Sequence, residues 1–330
     1  MKITFIGGAG RVGTSTCYAV GLNSIFDEIL LFDKDEDAAK GLAIDMEQAF
    51  ILAGKNIKVS GSYDYNDIKG SDVIIITASI PTFTKETQKT GGENGGLSLR
   101  EAMLEGNKAV ITDIANNLKK VIPLTDKEQP LIAVLTNPMD IILSTFMRVG
   151  GFSKKKTIGS GNWLDSTRFK YYFSKEFGIP ACNIEVFAAA QHGAKITYLI
   201  SQAKVEGTLL LDWAKKNNVP RSKIDEIVEK AINGGQEIIN LQHLFNSTVW
   251  GPGMSLFELA DAYIRDKKKV LVASVWCNGE YGVRDFAFGC PIVLGKNGVE
   301  RILELDISDE DKTKYAESLK FAQDLDNANK

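Results

Sequence analysis

KITFIGGAGRVG, residues 2 to 13, is the stretch on which the fold turns. A β-branched apolar run ends at glycines, and Gly8, Gly10 and Gly13 spell GxGxxG at the opening of a helical pattern that runs from Arg11 to about Gly21. The glycine spacing alone is weak; its meaning comes from the strand before it and the helix after it. Glycine permits a tight turn there and lets backbone amides approach a pyrophosphate at the positive end of a helix. The following strand, EILLF, ends at Asp33, 20 positions past Gly13. A carboxylate at that point can accept from both ribose hydroxyls of a dinucleotide and repels a 2′-phosphate. Lys34 next to it lacks the planar fork that grips phosphate, so the pattern predicts NAD in preference to NADP.

Outward from this unit, short apolar runs alternate with helical periodicity: a helix from about Glu36 to Phe50, then NIKVS, DVIIIT, LIAVLT at 131 to 136, a helix from about Met139, and KTIGS near 157. Uniformly apolar strands separated by helices call for a parallel sheet covered on both faces, with right-handed crossovers. The fold class is therefore α/β, a doubly wound parallel (Rossmann) sheet. From about Trp163 the pattern changes to longer amphipathic helices near 163–178, 222–245 and 254–268, followed by KKVLVASVW and CPIVLG, which suit antiparallel pairing. A second, mixed α/β domain is expected, with the chain divided into 1–159 for the dinucleotide and 160–330 for the substrate. Ser308 caps a closing helix that is expected to fray after about Asp324.

Composition narrows the function. At 330 residues with 44% hydrophobic and 25% charged residues and a formal net charge of −3, the chain suits two fused soluble domains and offers no nucleic-acid surface. The longest apolar runs are too short to cross a bilayer, and the N-terminus runs straight into a strand, so neither a membrane span nor a secretory leader is expected and the protein is placed in the cytoplasm. Cys17, Cys182, Cys277 and Cys290 are scattered without a CxxC pair, which supports neither a disulfide framework nor zinc; all four are read as small, mostly buried packing residues, and no metal is expected.

The chain has only two histidines. His192 sits where the apolar run VFAAA meets a glycine, and a buried imidazole needs a partner for each ring nitrogen. The segment GSGNWLDSTRF supplies Asp165 and Arg168, three apart and hence on one helix face. By spacing alone such a pair is as readily a surface ion pair. His243, in a leucine-rich helical stretch without a nearby acid, is read as structural.

These segments resemble the lactate and malate dehydrogenase family, NAD-dependent 2-hydroxy acid dehydrogenases, and the resemblance extends from the first strand to the last third. GSGNWLDSTRF is similar to the family segment that carries the aspartate orienting the catalytic histidine and the arginine binding the substrate carboxylate, and AAQHGA to its histidine segment, 27 positions from Asp165 to His192. The resemblance implies His192 as proton donor and acceptor, Asp165 as its orienting partner, Arg168 as the carboxylate clamp, and Arg100 in LREAMLEGN as the mobile-loop arginine that polarises the carbonyl. It implies Asn137 in LTNPMD beside both nicotinamide and substrate, with Asn107 in the helix after the loop. It also implies a homo-oligomer, a tetramer rather than a dimer.

Some features depart from the family. The segment from Pro81 to Arg100 is longer than the usual substrate loop, and its glycines at 91, 92, 95 and 96 read as the hinges of a lid. Its Lys85 and Lys89 are balanced by Glu86 and Glu93, and Arg100 is its only arginine, which tilts the reading away from a dicarboxylate. In STVWGPG, Thr248, which the resemblance implies as a substrate-binding residue, and Trp250 are lactate-like, whereas Pro252 is malate-like. The favoured reading is an L-lactate dehydrogenase type acting on a 2-oxo acid such as pyruvate. Malate dehydrogenase is the alternative, and an NAD-sensing module without turnover the rival from another class. Relatives regulated by fructose 1,6-bisphosphate hold phosphate with an arginine and a histidine where this chain has Lys170 and Glu185, and a carboxylate there repels the effector.

Overall fold

The computed structural model describes residues 1–80, 99–242 and 247–327, with residues 99–102 in backbone only. The segment from 81 to 98, with Lys85, Glu86, Lys89, Glu93 and its four glycines, and His243 all lie outside the described residues.

The N-terminal half alternates as its hydrophobic pattern requires. The strands are β1 (Lys2–Ile6), β2 (Glu28–Phe32), β3 (Lys58–Ser62), β4 (Val73–Ile76), β5 (Leu131–Val134) and β6 (Thr157–Gly159). The helices between them are α1 (Arg11–Leu22), α2 (Glu36–Leu52), α3 (Leu99–Leu118) and α4 (Met139–Gly150). The strands lie in the order β3-β2-β1-β4-β5-β6, all parallel. Every side chain of β4 and β5 is buried, because helices cover both faces; this is why VIII and LIAV show no polar alternation. The order reverses beside β1, which opens a crevice at the carboxyl ends of β1 and β4.

The second half opens with α5 (Asn162–Phe177), which ends at Gly178 in the left-handed region (φ 68°), where the Gly178 N–H donates to Ser174 O. Short strands β7 (Ile184–Glu185), β8 (Ala188–Ala190), β9 (Ile196–Tyr198), β10 (Lys204–Val205) and β11 (Thr208–Leu209) follow. Next come α6 (Leu210–Lys216), α7 (Arg221–Gln242) and α8 (Trp250–Ile264). The long antiparallel pair β12 (Lys269–Asn278) and β13 (Arg284–Gly295), then β14 (Gly298–Ile302) and α9 (Asp309–Asn327), complete it. The antiparallel pairing expected of KKVLVASVW and CPIVLG is present.

The large sheet does not stop at β6. Gly159 pairs with Ser274, so β6 passes into β12, β13, β8 and β9, and one apolar core draws on both halves of the chain. A second core around Phe169, Phe173 and Leu210 lies between α5 and the small β11-β10-β7 sheet.

Two expectations need correction. Ser308 does cap α9, its Oγ accepting from the Asp311 N–H at 3.2 Å, but the helix continues past Asp324 to Asn327. Buried Asp326 anchors that end, paired with Arg148 at 2.9 Å and Lys108 at 3.4 Å. Of the cysteines, Cys17, Cys277 and Cys290 are buried packing residues; Cys182 is exposed, in the short turn that leads into β7.

Candidate active site

The glycine turn is tighter than the GxGxxG reading implies. Gly7, outside the motif, takes φ 84°, and a Cβ there would lie 2.6 Å from Ala78 N, so β1 and β4 approach each other through it. At Gly8 a Cβ would meet Phe5 O and Leu31 Cα, and at Gly13 the Gly7 carbonyl, whereas Gly10 faces a cavity. No side chain caps α1, so its first turn presents backbone toward that cavity. This uncapped, glycine-lined helix start fits a dinucleotide pyrophosphate. Asp33 follows β2 directly, its Oδ2 accepting from the Ala9 N–H at 3.1 Å, and lines an adjoining cavity of about 500 Å³ with Tyr63, Tyr65 and Lys34. That chamber suits an adenosine whose ribose meets Asp33.

The two cavities share Gly10, Lys34, Thr77, Ser79 and Ile80. The other, about 520 Å³, leads to Asn137, Arg168, His192 and Thr248. Four residues expected at the substrate therefore converge on one chamber. Asn107 ties its wall together: its Oδ1 accepts from Ile80 N–H at 2.8 Å and its Nδ2 donates to Asn137 O at 2.7 Å. Arg100 falls in the first turn of α3, and its side chain lies outside the described residues.

His192 finds its partner. Its Nδ1 is 2.7 Å from Asp165 Oδ2, and Arg168 Nη1 donates to Asp165 Oδ1 at 2.6 Å. Asp165 is buried and Tyr198 donates to its backbone carbonyl, so the carboxylate has little room to swing. Arg168 thus spends one nitrogen on Asp165. Its Nε is buried without a partner among the described residues, and together with Nη2 it makes the edge that can meet a carboxylate in a two-bond fork. Gly235 leaves space for that edge; a Cβ there would lie 3.0 Å from Nη2.

The histidine segment is held under strain. Ala190 adopts φ 66°, a left-handed conformation that costs a non-glycine residue about 1–2 kcal/mol. Asn162 Nδ2 clamps the Ala190 carbonyl at 3.0 Å, and Gln191 N–H donates to Ser318 Oγ at 3.1 Å. The imidazole lies against Gly161, where a Cβ would sit 2.7 Å from the ring. Burial alone would lower the His192 pKa, but the charge and hydrogen bond of Asp165 and the charge of Asp140 outweigh both burial and the opposing Arg168, and the net direction is upward.

The chain matches family models over nearly its whole length: the lactate/malate dehydrogenase NAD binding domain over residues 1–159, and the lactate/malate dehydrogenase alpha/beta C-terminal domain over residues 163–327. It belongs to the lactate/malate dehydrogenase family. It is 35% identical over 318 residues to a malate dehydrogenase of Pelagibacter ubique, covering 96% of this chain and 93% of that one. It superposes on a lactate dehydrogenase of Cryptosporidium parvum, solved with lactic acid and nicotinamide adenine dinucleotide, with a TM-score of 0.88, 31% identity and coverage of 99% and 97% of the two chains. A malate dehydrogenase of the same organism aligns with a TM-score of 0.87, 29% identity and coverage of 99% and 98%. As a lactate/malate dehydrogenase the protein is an NAD-dependent oxidoreductase acting on the CH–OH group of hydroxy acids, which sets aside a sensor without turnover.

Residues that the sequence did not single out pack against or bond to this candidate site: Gly7, Gly161, Asn162, Gly235, Ser274 and Asp140. Asp140 is the most informative. It follows Asn137–Pro138 in the first turn of α4, where an acid reads simply as a partner of the helix dipole.

Proposed function

We propose that this enzyme interconverts a small 2-oxo monocarboxylate of the pyruvate type and its L-2-hydroxy acid. The observation that carries this reading is the charge at the substrate end of the chamber. Among the described residues there, Arg168 is the arginine or lysine beside His192, while Met103, Leu164 and Ile239 supply apolar wall; Arg11 and Lys34 flank Gly10 and Asp33 at the dinucleotide end. A second carboxylate would have to lose water against that apolar wall, with no second arginine or lysine among the described residues there to receive it. Malate dehydrogenase is the second reading, favoured by the 35% identity to the Pelagibacter enzyme. Steady-state rates with NADH and a panel of 2-oxo acids test the choice: kcat/KM should favour pyruvate over oxaloacetate, and a tenfold preference for oxaloacetate would reverse it.

The described geometry supports the roles of Arg168, Asn137, Thr248 and His192, and the role of Arg100 is the one that the family resemblance implies. Bound NADH supplies the hydride. Arg168 grips the substrate carboxylate, Asn137 and Thr248 line the pocket beside the reacting carbon, and Arg100 polarises the carbonyl as negative charge grows on its oxygen. With Nδ1 committed to Asp165, His192 gives its proton to that oxygen from Nε2. Reduction needs the imidazolium, and the pKa of His192 lies above its ordinary 6.5. Accordingly kcat/KM for the 2-oxo acid should be full at low pH and fall as pH rises through a midpoint above 6.5, while oxidation of the hydroxy acid gains over the same range. A reduction limb centred below 6.5 would contradict this.

We also assign residues 1–159 to NAD and residues 160–330 to His192, Asp165, Arg168 and Thr248. Lys170 lies over the Trp163 ring, and Glu185, which reaches Lys204 at 3.9 Å, adds a carboxylate to its electrostatic surroundings. A carboxylate there repels a phosphate, so adding fructose 1,6-bisphosphate should leave the rate unchanged.

The oligomer is assigned from exposed apolar side chains: Leu22 on α1, Ile44, Ile51 and Leu52 on α2, Trp250 and Met254 on α8, with α1 packed against both other helices. We place a second copy on this face and a tetramer in solution. Light scattering should return about four chain masses, and Leu52→Asp should lower that value. No described helix is long and apolar enough to cross a membrane. The free thiols of Cys277 and Cys290, 3.6 Å apart, suit a reducing compartment, and we place the enzyme in the cytoplasm.

A further inference from the structure

Asp140 is 2% exposed, and its two oxygens face two different parts of the fold. Oδ2 accepts from the His192 backbone N–H at 2.9 Å; Oδ1 accepts from Ser274 Oγ on β12 at 2.7 Å. None of its hydrogen bonds or ion pairs among the described residues comes from a lysine or arginine. Burial is what raises its pKa, to about 6, against the two hydrogen bonds that hold it down, so near neutral pH it is ionised in a site that makes ionisation costly. An asparagine could be buried there at lower cost. The carboxylate adds a second negative charge next to an imidazole whose other charged neighbours are Asp165 and Arg168, both from α5.

We propose that Asp140 is a positioning residue for His192: it fixes the peptide from which the imidazole projects and, with Asp165, stabilises the protonated ring. This rests on His192 being the acid and base. The ring nitrogen bound to Asp165 sets the imidazole's rotation, but not where its Cα sits. That is set on one side by the Asn162 clamp on Ala190 and on the other by Asp140. Asp140 comes from the parallel half and Ser274 from the antiparallel half, so His192 is anchored at the seam between them.

Asp140→Asn separates the two contributions. Its carbonyl can still accept from the His192 N–H and its amide can donate to Ser274, so anchoring persists while the charge is lost. Asp140→Ala removes both. The imidazole can be followed directly by NMR, because a His243→Gln background leaves one histidine in the chain. Asp140→Asn should lower the His192 pKa by about one unit, with the pH limb of reduction moving alongside it. Asp140→Ala should lower kcat about 10²-fold with NADH affinity unchanged. An unmoved His192 pKa and pH limb in Asp140→Asn would overturn the proposal, and this variant decides even if Asp140→Ala fails to fold. Full turnover in His192→Gln would instead remove the acid–base reading on which the proposal rests, so the two failures are distinguishable.

Discussion

His192→Gln should bind NADH as tightly as the parent enzyme and turn over about 10³-fold more slowly, within the range that a positioned acid–base group contributes. Glutamine approximates the length of the imidazole and can still donate a hydrogen bond, but it cannot release a proton to an alkoxide forming beside it. The loss corresponds to about 4 kcal/mol of transition-state stabilisation. It should appear in kcat, because His192 is not among the residues that line the adenosine chamber around Asp33. Fluorescence titration of NADH together with single-turnover reduction measures the two quantities separately. Turnover within tenfold of the parent would unseat His192.

Arg168→Lys should act on the other parameter, raising KM for the 2-oxo acid about 10²-fold or more. A lysine is a single point donor. It cannot form the two parallel bonds that Nε and Nη2 offer, and each hydrogen bond to a charged group is worth about 1.5–3 kcal/mol. A further effect follows from the geometry, because Arg168 also holds Asp165 at 2.6 Å. Without that bond the Asp165 carboxylate loses one of the two contacts that set its orientation toward His192, so kcat should fall as well, though less than KM rises. Saturation by pyruvate at the parent concentration would take the clamp out of the mechanism.

The parallel sheet was legible because its strands are short, the central ones β4 and β5 are apolar throughout, and helical periodicity separates them, so a small number of patterns carries the topology. β12 and β13 were legible for a similar reason. The five short strands between α5 and α6 were not: two or three residues hold no periodicity, and their pairing depends on contacts such as Ala188 N–H with Ser166 Oγ, distant in the chain. At the site, residue types that carry acid–base or anion-binding chemistry stood out, as Asp165, Arg168 and His192 did, and Asn137 with them. Residues that act by filling or by leaving space did not. Gly7, Gly161 and Gly235 matter because another part of the molecule occupies the volume of a side chain, and Asp140 because a peptide 52 positions away donates to it. Spacing along the chain carries no trace of such meetings. The end of α9 was misjudged for the same reason, since the salt bridges that hold Asp326 come from α3 and α4.

The bridge between Gly159 and Ser274 bears on recombination. Exchanging the first 159 residues for those of a relative would bring in that relative's residue at position 140 while retaining the native ones at 192 and 274. A chimera joined there keeps the anchor where the incoming residue is an aspartate and loses it where it is not. Grafting a foreign cofactor half onto this catalytic half should therefore be judged first at position 140, before the cofactor chamber itself is put to the test.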